Sequence, residues 1–243
     1  MVTDRLDSEI AGDFLLTARS LAEYRAMFAL TAADLRGRVL DCPGGAASFV
    51  CEAIDLGADA VAVDPIYAST APDLRAVALA DTDRGNAWSV SHTGLYSWDW
   101  YGGDPEVHRR IRHEAVHLFA DDLDAHPERY VAAGLPALPF GDNDFDLVLS
   151  SHLLFTYADR LDADFHLAAL RELARVSRGE VRVYPLVGHS GEPMPELLAW
   201  VRAELREHGV DSTLRATDAF EFQRGAGHQL VLNPRPTGPL QPE

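Results

Sequence analysis

Residues 39–49 read Val39-Leu40-Asp41-Cys42-Pro43-Gly44-Gly45-Ala46-Ala47-Ser48-Phe49. An apolar strand ends in an acid, a turn with paired glycines follows, and a helix is expected from about Ala46. Glycine has no Cβ, so the chain can turn sharply here and a ligand can rest against its backbone. The start of the helix is expected to offer free N–H groups and a positive dipole end, which favour a carboxylate or phosphate. Asp41 beside it prefers an ammonium or a hydroxyl donor. One small ligand carrying both groups, such as an amino acid, suits the pair.

Further on, Asp59-Ala60-Val61-Ala62-Val63-Asp64 is a second short apolar strand closed by an acid. Asp64 stands 19 positions after Gly45. An acid about 20 residues beyond the glycines of a βαβ unit accepts hydrogen bonds from ribose hydroxyls. Carboxylate, ammonium and ribose sites on one unit match S-adenosylmethionine (SAM), which carries all three groups. A second stretch is Leu138-Pro139-Phe140-Gly141-Asp142-Asn143-Asp144-Phe145-Asp146-Leu147-Val148-Leu149-Ser150-Ser151-His152. It joins a leucine-proline-phenylalanine element, an acidic loop, a phenylalanine-aspartate pair and an apolar strand. With both motifs in order, the chain resembles the class I SAM-dependent methyltransferases over residues 36–66 and 129–186.

The resemblance implies an α/β fold: a seven-stranded, mostly parallel, Rossmann-like methyltransferase sheet with helices on both faces. It implies SAM as cofactor and a small-molecule methyl acceptor. The implied cofactor-binding residues are Tyr24, Asp41, Cys42, Pro43, Gly44, Gly45, Asp64, Pro65, Leu135, Pro136, Ser150, Ser151 and His152. Two departures stand out. Cys42-Pro43 fills the first turn positions, where proline removes one N–H donor. Gly134 stands where the family often carries an adenine-binding aspartate. Other readings are a SAM-binding protein without transfer activity and an NAD-dependent oxidoreductase, the latter opposed by the missing GxGxxG.

His152 ends the fourth strand, at the edge where open α/β sheets bind ligands. It is a candidate catalytic base, or it packs against the methionine portion of the cofactor. His189, after strand five, is a weaker candidate on the same edge. Tyr24 either reaches the cofactor or packs on the sheet. The segment His113-Glu114-Ala115-Val116-His117 matches the zinc-protease H-E-x-x-H pattern. Its extension fails at Ala120 and Leu123, so no metal is expected.

The formal charge is −17, from 38 acids and 21 basic residues, all of them arginine. Nucleic acid is disfavoured as a partner, because phosphate neutralisation needs a basic stripe. No lysine is present, which excludes Schiff-base chemistry. The start of the chain is charged, no apolar run is long enough to span a bilayer and only two cysteines occur, so a reducing, cytoplasmic setting and no membrane partner are expected.

Periodicity predicts helices over 11–29, 46–56, 71–80, 108–124 and 162–177, with another opening at 192–193. It predicts strands at 38–41, 60–64, 129–133, 146–149 and 180–186, and a closing antiparallel pair over 212–222 and 229–232. One domain is expected over 1–233, with 67–128 inserted as a cap over the active site, and a disordered tail over 234–243. The aromatic-rich run from Trp88 to Tyr101 has two readings, as pocket wall or as anchor for the insertion.

Overall fold

Successive residues of a strand point to opposite faces. In β1 (Arg38–Asp41) and β4 (Phe145–Ser151) both faces are apolar, so both must be covered. Val39, Leu147 and Leu149 pack into one core, Leu40 and Val148 into another. The computed structural model describes residues 14–217 and 220–234. Five further strands complete the sheet: β2 (Asp59–Val63), β3 (Tyr130–Val131), β5 (Ser177–Tyr184), β6 (Val210–Ala216) and β7 (His228–Pro234). The seven strands run in the order β3-β2-β1-β4-β5-β7-β6. β1 to β5 are parallel, and β7 is antiparallel to both β5 and β6. This is the mostly parallel Rossmann-like methyltransferase sheet that the motifs imply.

Four helices, α1 (Leu21–Phe28), α2 (Phe49–Asp55), α3 (Ala71–Ser91) and α4 (Pro105–Ala125), cover the face of Val39 and Leu149. Two, α5 (Ala163–Val176) and α6 (Pro195–Glu207), cover the face of Leu40 and Val148. Gly209 follows α6 at φ +79°, a left-handed conformation that stops the helix.

Several expected boundaries move. The leading helix begins at Leu21, because Ser20 and Glu23 form a reciprocal capping box there. Residues 14–20 are not helical, and 11–13 lie outside the described residues. The helix expected from Ala46 begins at Phe49. β3 keeps only two residues, since Ala133 N–H turns back onto the Val131 carbonyl. β6 ends at Ala216 rather than 222. Pro234 pairs with Val210 in β7; of the tail, 235–243 lies outside the described residues.

Between β2 and β3 stand two 21-residue helices, α3 and α4, packed on each other. α3 runs well past the expected residue 80. Apart from Leu74 and Trp88, its buried positions are Ala71, Ala78, Thr82 and Ser89, small or polar residues that carry little apolar signal. The aromatic run divides between its two readings. Trp98, Trp100 and Tyr101 pack against Phe220 and Phe222, anchoring the segment to the loop before β7. Trp88 lines a cavity, and Tyr96 both lines it and packs on Phe222. Among the described residues, no helix is long and apolar enough to cross a membrane. Cys42 and Cys51 are both free thiols.

Candidate functional site

A cavity of about 360 Å³ opens at the carboxyl ends of β1, β2 and β4. Of the residues expected at a cofactor, Tyr24, Cys42, Pro43, Gly44, Gly45, Asp64, Pro65, Leu135, Ser151 and His152 line it. Asp41, Pro136 and Ser150 do not. Asp41 is buried behind the lining, where both its oxygens accept from the Tyr24 hydroxyl at 3.0 and 2.9 Å. Burial raises its carboxyl well above the usual range, against the lowering effect of that hydroxyl.

The turn is built more tightly than its sequence suggests. At Gly44 a Cβ would collide with the Tyr67 hydroxyl and the Ala62 methyl, so only glycine fits. The backbone donors of the turn are all engaged. Gly44 N–H donates to the Val63 carbonyl at 3.0 Å, Ala46 to Thr17 at 3.2 Å, Ala47 to Gly44 at 3.2 Å and Ser48 to Arg19 at 3.0 Å. Gly45 N–H donates to the Asp64 carboxylate at 3.1 Å. The free N–H cluster expected for an anion is therefore absent at residues 44–48. The segment before α1, crossing the turn as a strap, takes two of those donors, Ala46 and Ser48 N–H.

Asp64 closes β2 and accepts from Gly45 N–H through one oxygen and Ile66 N–H through the other, each at 3.1 Å. Burial nevertheless pushes its carboxyl pKa up, with those two N–H groups opposing. A carboxylate retains lone pairs after two such bonds, so Asp64 can still accept from a ligand hydroxyl. Gly134 also lines the cavity. A Cβ there would come within 2.8 Å of Pro65 Cγ, which explains why no aspartate stands at this position.

His152 sits at φ +51° after β4, with Nδ1 2.8 Å from the Ser151 hydroxyl. Burial holds its pKa well below the ordinary histidine value, and Arg19 and Arg112 act in the same direction. The imidazole is thus neutral and able to accept a hydrogen bond.

A smaller cavity of about 100 Å³ adjoins the first. Leu15, Thr17, Arg19, His152 and Tyr157 line both. The rest of its wall comes from α3, α4, the segment holding Trp88 and Tyr96, and the loop with Phe222 and Gln223. His189, expected on this edge, lines only the smaller cavity. Sequence reasoning missed the strap. Phe14, Leu15, Leu16, Thr17 and Arg19 all line the larger cavity. Leu15 N–H donates to the Tyr157 hydroxyl at 3.0 Å and Leu16 N–H to Asp81 at 2.8 Å, fixing the strap across the mouth. The Ser20-x-x-Glu23 capping box was the available signal that residues before 20 are not helical. The H-E-x-x-H segment lies on α4, where His113 Nε2 meets Asp83 at 2.7 Å and Ala115 and Val116 are buried.

His108 lines the smaller cavity with its Nδ1 2.9 Å from Asn86. Burial, then Arg112 and Arg19, lowers its pKa far below the ordinary value. In the unfolded chain it binds a proton at about pH 6.5; in the folded chain it stays neutral. Its contribution to stability is therefore present above that pH and lost as pH falls through it. Between pH 7.5 and 5.5 the wild type should lose about 1.4 kcal/mol more unfolding free energy than His108→Gln. Parallel urea titrations at the two pH values measure this, and equal losses would contradict a buried neutral His108.

No protein-family model matches the sequence. An uncharacterised protein of Methanocaldococcus jannaschii is 26% identical over 225 residues, which span 90% of this chain and 96% of that protein. The fold is similar to that of a Burkholderia thailandensis 1,6-didemethyltoxoflavin-N1-methyltransferase solved with 1,6-didemethyltoxoflavin and S-adenosylhomocysteine. That match has 16% identity and a TM-score of 0.44, covering 88% of this chain and 79% of that one. A TehB-like SAM-dependent methyltransferase of Corynebacterium glutamicum matches at 15% identity and a TM-score of 0.45, covering 96% and 95%.

Proposed function

We propose that this chain is a class I SAM-dependent methyltransferase acting on a small molecule. The observation that carries the reading is a single cavity at the carboxyl edge of the sheet. Its wall joins the Gly44–Gly45 turn to the Asp64 carboxylate. Its volume of about 360 Å³ lies in the range of small-molecule sites. Pro65, Ile66 and Leu135 offer apolar surface to a flat base, and Asp64 offers acceptors to ribose hydroxyls. Arg19 is buried, and its Nε has no partner within the protein, as suits a ligand with an acceptor group.

When bound, SAM supplies a methyl group on a sulfonium, already activated for transfer. The protein's part is then to position the acceptor and exclude water. The strap from Phe14 to Arg19 covers the mouth. His152, neutral and shared by both cavities, stands where it can accept a hydrogen bond from an acceptor whose nucleophilic atom carries a proton. The adjoining small cavity favours transfer over mere SAM binding, since a second molecule has a place beside the first.

Calorimetric titration with SAM, S-adenosylhomocysteine and NAD tests the reading. Binding of the two adenosyl sulfur compounds without NAD is expected. Binding of NAD alone would sink the proposal, and turnover of labelled SAM with a metabolite extract separates an enzyme from a binder.

A further inference from the structure

The smaller cavity is unusual in what it leaves unpaired. Buried polar atoms in folded proteins nearly always have hydrogen-bond partners, and exceptions call for an explanation. Among the described residues, Arg19 Nε, Thr82 Oγ1, His108 Nε2 and Thr156 Oγ1 are buried without such a partner, and all four residues line this one cavity. One of the four atoms, Arg19 Nε, is an obligate donor. Two guanidiniums, Arg19 and Arg112, are buried here. Arg112 is ion-paired to Glu23 at 3.2 Å. Arg19 has no carboxylate within ion-pair distance among the described residues; its Nη1 reaches only the Thr17 hydroxyl, at 2.7 Å. Burial, then the neighbouring Arg112, lowers its pKa to about 10. A buried cation left in this way is costly unless an anion joins it.

Size and shape narrow the ligand further. A dry cavity of 150 Å³ holds one benzene ring, so a chamber of about 100 Å³ takes a single ring only with part of the molecule reaching into the adjoining cavity, whose wall it shares at Leu15, Thr17, Arg19, His152 and Tyr157. The Trp88, Tyr96 and Phe222 rings line it. Gly85 lies inside α3 and also lines it, and a Cβ at that position meets nothing within 4 Å. Glycine in a helix interior costs about 1 kcal/mol against alanine, so its presence here keeps space open at the expense of the helix.

We propose that the smaller cavity is the methyl-acceptor site and that it takes a small planar molecule bearing one carboxylate, held by Arg19 with Arg112 beside it. This rests on the methyltransferase reading for the identity of the cavity's neighbour. The carboxylate chemistry has two sources, the acceptor itself and the methionine end of the cofactor, because Arg19 lines both cavities. The assignment here is to the acceptor.

Benzoate, neutral benzamide and S-adenosylhomocysteine separate the cases by calorimetry on the full chain. First, the protein is saturated with S-adenosylhomocysteine, so the cofactor's carboxylate is already in place. Benzoate should then bind at least tenfold more tightly than benzamide. Gly85→Leu adds apolar bulk at the chamber wall, removes no polar side chain and favours the helix. It should weaken benzoate at least tenfold and leave S-adenosylhomocysteine unchanged. Arg19→Gln should remove the preference for benzoate over benzamide. Equal or absent binding of the two probes overturns the proposal. So does benzoate binding only when S-adenosylhomocysteine is absent, which gives Arg19 to the cofactor. Failure of S-adenosylhomocysteine and SAM to bind at all is a failure of the methyltransferase reading instead, and is seen before any benzoate is added.

Discussion

Replacing Glu23 with alanine should lower the unfolding free energy by about 3–5 kcal/mol, the range for removing one partner of a buried ion pair. Glu23 is fully buried. It accepts from Ser20 N–H at 2.9 Å, from the Ser20 hydroxyl at 3.1 Å, from the Tyr101 hydroxyl at 2.7 Å and from Arg112 Nε at 3.3 Å. One carboxylate thus closes the cap of α1, ties down the aromatic segment and neutralises a cation on α4. Alanine would leave the Arg112 guanidinium buried beside Arg19 with no ion-paired carboxylate between them. Burial disfavours the Arg112 cation, and Glu23, then Tyr101, offset it; since arginine keeps its proton in proteins, Arg112 would stay charged without Glu23 at a cost, or force local opening. Domains of this kind have only about 5–15 kcal/mol to lose. Urea denaturation measures the loss directly. The double variant Glu23→Ala/Arg112→Leu should recover part of it, since no unpaired cation remains opposite the missing acid. A loss under about 1 kcal/mol, in the range of an exposed pair, would refute the role given to Glu23.

That network was invisible in the sequence for a physical reason. Glu23 looks like a solvated helix residue, and Arg112 is one of three arginines on α4; only the packing of α4 and α1 on the shared neighbour α2 brings them together. The sheet was legible because its strands are short apolar runs that end in chemistry-bearing residues: Asp41, Asp64, and Ser151 with His152. The turn was legible as a turn. Its free donors were not, since whether an N–H is free depends on what crosses it, and the strap was read as helix. The length of α3 was hidden by Thr82, Gly85, Asn86 and Ser89, which together look like loop. In the folded chain those same residues line the smaller cavity. Local sequence and element disagree there, as happens where function rather than folding sets the residue. Gly134 was read as a departure from a motif. It proves to be a close approach of backbone to Pro65, which no side chain permits.

Asp64→Asn should weaken SAM by about 30-fold to 1,000-fold. A hydrogen bond to a charged group is worth about 1.5–3 kcal/mol. Losing one such bond fully and part of a second costs about 2–4 kcal/mol, which is that range of affinity. The carboxylate is preset for the task, because Gly45 and Ile66 N–H groups hold its two oxygens in place. It is also poorly solvated, since burial raises its pKa despite those donors. Ribose hydroxyls would supply further donors to it. Donors to the ionised form lower a carboxyl pKa, so wild-type affinity for SAM should fall as pH drops and the carboxylate takes up a proton. The asparagine variant should show a flatter profile. Asparagine also turns an NH₂ toward one of the two N–H donors, so part of any loss could come from the turn. A ligand cycle separates the two effects. Removing the ribose hydroxyls from the ligand should weaken wild-type binding and add little to the loss in Asp64→Asn. Losses that add in full would assign the effect to the turn alone. Binding of SAM within threefold of the wild type would remove Asp64 from the ribose site.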